Sequence, residues 1–168
     1  VPECTDLIII RALRRASEEF LTKSLVWRAD LDDHDVVVGE SLVELDMPFR
    51  GTRIVQIKSA TIGSKDVPQI ADDQQPPVPA LDATLVLRAV ISTTSNSTGI
   101  DSGVELEIHE HLLDGALSRL YGMPGMPWAN NQLAAFHGAV FQAAIFDSRG
   151  RAENNSGRAV RKVNYGGI

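Results

Sequence analysis

Cysteine is nearly missing from this chain: Cys4 is the only one in 168 residues. No internal disulfide can form, and no cysteine-based zinc site can be assembled. A reducing compartment and a cytosolic product are the expectation. Long apolar runs are missing as well. The longest near the start, Leu7 to Ile10, is far too short for a signal-peptide core or a membrane span. Aromatic residues make up only 5% of the chain, which leaves little for stacking on bases. Positive charge is also in deficit. A net charge of -6 argues against a surface built for nucleic acid, because phosphate binding needs a positive field.

Catalytic and ligand-binding motifs are equally scarce. No GxxxxGK(S/T) loop occurs; Gly99, Gly103, Gly122, Gly125 and Gly138 are scattered. There is no G-x-S-x-G elbow and no cysteine–histidine pair in a credible setting. His109, Glu110 and His111 suggest metal ligands at first sight. Two residues apart on a helix, the histidines point about 200° from each other and cannot face one ion. They read as an exposed polar helix face. Asp30, Asp32 and Asp33, like Asp72 and Asp73, stand beside turn signals and read as solvated carboxylates. His137, next to Phe136, reads as a helix-face histidine at an interface or at the edge of the core. The expectation is a protein that is not an enzyme and carries no cofactor or metal.

What is present is room for one core, in a pattern of helix, β insertion, helical hairpin and tail. The first helix is expected over 5–22, capped by Thr5 or Asp6. Its apolar face is Ile9, Ile10, Leu13, Ala16 and Phe20, and Arg14–Glu18 and Arg15–Glu19 are spaced for ion pairs. Trp27 should pack back over its end. The β insertion covers 35–95. Val36 to Val38 and Leu42 to Leu45 flank a hairpin-like break at Gly39-Glu40. Arg53 to Ile62 and Leu85 to Ile91 follow as strands. Asp72 to Pro79, rich in proline, is a loop or arm between them, and Ser92 to Ser97, rich in serine and threonine, should leave the sheet. The hairpin spans 102–149. Ser102 and Glu105 have capping-box spacing. Val104, Ile108, Leu112, Ala116 and Leu120, supported by Leu113 and Leu117, form one stripe. Gly122 suits the position after the helix and Pro124 stops it. Asn130 or Asn131 caps a last helix whose buried stripe is Leu133, Phe136, Val140 and Ala143, ending at Gly150. The fold class is therefore α+β, mainly α. It is a three-helix bundle with a short antiparallel sheet at one end, in a single domain over 1–150.

Residues 151–168 are basic: Arg151, Arg158, Arg161 and Lys162 stand against Glu153 alone. Val160, Val163, Tyr165 and Ile168 are interleaved as apolar anchors. This segment is expected to be extended and to dock on a partner, as an added strand or in an acidic groove.

The break Gly122-Met123-Pro124-Gly125-Met126-Pro127-Trp128 between the last two helices resembles the MPG-x-PW turn of the head-to-tail adaptor proteins of tailed bacteriophages. HLLDGALSRLYGMPGMPWANNQLAAFHGAVFQAAI is similar to their helical hairpin. LIIIRALRRASEEFLTKSLVWRADLD resembles their opening helix, and SLVELDMP and GTRIVQIKSATI their inserted strands. The likeness covers most of the chain; only the turn is distinctive, and Asp72 to Pro79 has no counterpart. The resemblance implies a structural virion protein at the head–tail junction, assembled in the host cytoplasm. It would form a homododecameric ring matching the portal above, with a tail or nozzle protein below. DNA would pass through the lumen without sequence-specific binding, and no membrane would be involved. It also implies a portal-contacting tail, for which Arg151, Arg158, Val160, Arg161, Lys162, Val163, Tyr165 and Ile168 are the candidates. A ring subunit needs apolar surface beyond one core face, and Trp128, His137, Phe141, Ile145 and Phe146 are the candidates for that contact. The alternatives are a head–tail completion protein of the siphophage type and a tail-associated cell-wall hydrolase.

Overall fold

The structure, a computed structural model, describes residues 4–31, 33–36, 47, 49–63, 65–66, 83–94, 96–97 and 99–156. It is mixed α/β, with three helices and a small antiparallel sheet. The Gly39-Glu40 break, the Asp72 to Pro79 segment and residues 157–168 lie outside the described residues.

Helix α1 (Asp6–Ser24) follows Thr5, whose carbonyl accepts from the amides of Ile8 and Ile9 at 3.0 and 3.2 Å; its hydroxyl makes no cap. The buried face is Ala12, Ala16, Ser17, Phe20, Leu21 and Ser24, rotated from the expected one, so Ile10 is 45% exposed. The small residues let neighbouring elements approach closely. The helix ends where Leu25 takes a left-handed conformation at φ 58°. Trp27 then turns inward and is buried.

The chain continues into β1 (Arg28–Asp30), β2 (His34–Val36), β3 (Thr52–Ile62), β4 (Lys65–Asp66) and β5 (Ala83–Thr93). Strand β5 is the centre of the sheet. It pairs antiparallel with β3 on one side and with both β1 and β2 on the other, and β4 adds to β3. Ser92 and Thr93 do not leave the sheet; both are buried in β5. Their hydroxyls are satisfied by α1. Thr22 Oγ1 donates to Ser92 Oγ at 3.0 Å, and the Ser17 and Thr93 hydroxyls lie 3.4 Å apart. Buried polar groups paired in this way cost little. Leu87, Ala89 and Ile91 of β5 share one core with Phe20 and Leu21, with Trp27, and with residues of the last two helices.

Helix α2 (Ser102–Tyr121) is capped by Asp101 in place of Ser102. The Asp101 carboxylate accepts from the Gly103 amide at 2.9 Å, and an anion there also complements the helix dipole. Ile108, Leu112, Gly115, Ala116 and Leu120 are buried, as the four-residue repeat requires. Gly122 has an ordinary φ of -80°. The glycine that the turn needs is Gly125, at φ 77°.

Helix α3 (Asn131–Ser156) is capped by Asn130, whose Oδ1 accepts from the amides of Gln132 and Leu133 at 3.0 and 3.1 Å. It runs through Gly150. A single interior glycine costs about 1 kcal/mol relative to alanine. Ion pairs of Arg149 with Glu153 (2.8 Å) and Arg151 with Asp147 (3.1 Å) support the helix on both sides of it, and Ala152 is buried. Arg28 donates to the Ala152 carbonyl. Arg151 therefore belongs to a helix and not to an extended tail. Ending the chain after Gly150 should remove about 1–2 kcal/mol of stability. A urea titration of that truncation against one ending after Ser156 checks this; only the shorter chain should lose stability.

Candidate functional site

The last two helices meet at their smallest residue. A Cβ on Gly115 would stand 2.5 Å from the Phe141 ring, so α3 can lie this close to α2 only because position 115 is glycine. The Phe141 ring also lies 5.9 Å from that of Phe20, and the Arg119 guanidinium stands 5.5 Å from its centroid. Further along, Ser118 Oγ donates to the Ala134 carbonyl at 3.0 Å. His137 Nδ1 is 2.8 Å from Asp114 Oδ1, and its ring stacks on Tyr121. The connecting turn is closed by the Asn130 amide bonding to the Tyr121 carbonyl at 2.9 Å. Trp128 is half-buried against this turn, and its Nε1 is buried without a hydrogen-bond partner.

These contacts fix which side of α3 faces inward. Phe141 and Ile145 are each 2% exposed, with Ser148 and Ala152 continuing their line. Both had been expected at a subunit interface; they are core residues instead. The stripe expected in the core, Leu133, Phe136, Val140 and Ala143, faces outward. Phe136 is 61% exposed and Phe146 72%, and Ala139 lies exposed between them. From Leu120 to Phe146 there is no Asp, Glu, Lys or Arg at all. An exposed helix face of several turns with two phenylalanines and no charge is unusual in a lone soluble domain. It has the composition of an interface core, rich in aromatic residues and depleted of charge.

A second apolar feature lies on the far side of α2. A cleft of about 580 Å³ opens between α1, the end of β5 and the first half of α2. Leu13, Ile100 and Leu112 line it, and Ile10 and Leu113 (53% exposed) form its lips. Arg14 stands on one wall, and Glu105 and His109 on the other. Beside the lips, Leu7 and Leu106 are also exposed.

The charged groups hold the helices together. Glu19 accepts from Lys23 at 2.6 Å, from Gln142 of α3 at 3.2 Å and from Arg119 of α2. Burial works against its carboxylate. The hydrogen bonds from Lys23 and Gln142 and the charges of Arg119 and Lys23 outweigh it, and the carboxyl is held below its ordinary value. A depressed carboxyl adds stability that is complete above the ordinary value of about 4.3 and is lost as pH falls through the lower folded value. Glu19→Gln should therefore cost about 1–2 kcal/mol at pH 7. The difference from the natural chain should shrink as the pH drops below the carboxylate range, which denaturant titrations at several pH values would show. A gap that stays constant down to strong acid would contradict this role. On the outer face of the sheet, the exposed Arg88 makes two bonds to Asp30, at 2.5 and 3.2 Å, and draws that carboxyl below its usual range.

His109 and His111 do turn to different sides: His109 Nδ1 approaches the Leu106 carbonyl at 3.1 Å, whereas His111 stacks on Phe20. Among the described residues, no group of three or more His, Cys, Asp or Glu could hold a metal ion, and no helix is long and apolar enough to cross a membrane. The remaining tail candidates, Arg158, Val160, Arg161, Lys162, Val163, Tyr165 and Ile168, fall outside the described residues. No protein-family model matches the chain, and a search of the curated proteins finds no match.

Proposed function

We propose that this chain is a structural subunit of the adaptor ring that joins the head of a tailed bacteriophage to its tail. It would bind below the portal, extend the DNA channel and present the surface on which the tail is built. In this reading the three helices form a bundle that carries the sheet, and the segment after Ser156 extends to reach the portal. The observation that carries the reading is the uncharged outer face of α3. A subunit of a ring must bury a large surface against its neighbours, and this face provides apolar surface that the fold itself leaves uncovered. The hairpin turn that resembles the adaptor family directs the reading from assemblies in general to this one. The body's acidic balance fits a channel along which DNA slides, because it repels phosphate.

The role requires no chemistry from the chain, and in this reading it is not an enzyme. Its test is binding to the portal encoded by the same genome. The full chain should co-sediment with the portal. A chain ending after Ser156 should stay folded, with an unchanged melting temperature, and lose that binding. Full retention of binding by the truncated chain would remove the tail from the docking role.

A further inference from the structure

We draw no further inference here: the strongest candidate, the apolar cleft of about 580 Å³ between α1, the end of β5 and the first half of α2, carries nothing because nothing in the structure shows what covers it.

Discussion

Phe141→Ala should lower the free energy of unfolding by about 3–5 kcal/mol, the range for removing a fully buried aromatic side chain. The ring is the point where the three helices meet. It lies on the bare backbone of Gly115, beside the ring of Phe20 and beneath the Arg119 guanidinium. Truncation to alanine leaves a void that Gly115 cannot fill, because it has no side chain to move into it. The charge of Arg119 also loses its aromatic neighbour. A domain of this size is stable by only about 5–15 kcal/mol, so the variant should be partly unfolded at modest urea concentrations. Urea unfolding followed by circular dichroism measures the change. A loss under about 1 kcal/mol, within what a tolerated core exchange costs, would mean that Phe141 does not hold the helices together.

The second large effect lies outside the fold. Phe136→Asp combined with Phe146→Asp places two carboxylates on the outer face of α3, where neither phenylalanine contributes to the core. The melting temperature should hardly move, since exposed substitutions usually change stability by less than about 0.5 kcal/mol. Assembly should be abolished, because burying a charge without a partner at an interface costs several kcal/mol. Paired melting and sedimentation runs separate the two effects. A variant that melts early would put these residues in the core after all, and one that assembles normally would remove the face from any interface.

These two substitutions mark where the sequence was readable and where it was not. The three helices, strands β3 and β5 and an asparagine cap at Asn130 or Asn131 follow from local signals: four-residue repeats, β-branched runs and a turn residue ahead of an apolar stretch; the structure selects Asn130. The inner face of α2 was legible for the same reason, since Ile108, Leu112, Ala116 and Leu120 recur every four residues. Helix α3 offered no such contrast. Leu133, Phe136 and Val140 compete with Phe141 and Ile145 for the core. Periodicity identifies a buried face only when the opposite face is polar. What decides is a contact remote in sequence, the fit of Phe141 onto Gly115. That buried glycine in mid-helix was the signal that could have set the phase. The end of α3 was misread because Gly150 is a strong local stop. The salt bridges on either side of it are i,i+4 pairs within the helix, but the Arg28 contact at Ala152 acts across the fold. Asp101 displaced Ser102 as the cap of α2 by one position, within the usual uncertainty of helix ends.

The cleft was the least visible feature. Its walls come from residues as far apart as Ile10 and Leu113, and no local pattern announces a cleft between them beside Thr93 and Ser97. The exposed Ile10 and Leu113 had both been assigned to apolar stripes and look like ordinary core residues in the sequence.

The most direct test of the adaptor reading is the mass, by light scattering, of the full chain mixed with the portal of the same genome. A stable complex holding one copy of this chain for each portal subunit is the predicted result. A monomer that leaves the portal unchanged at every concentration would contradict it.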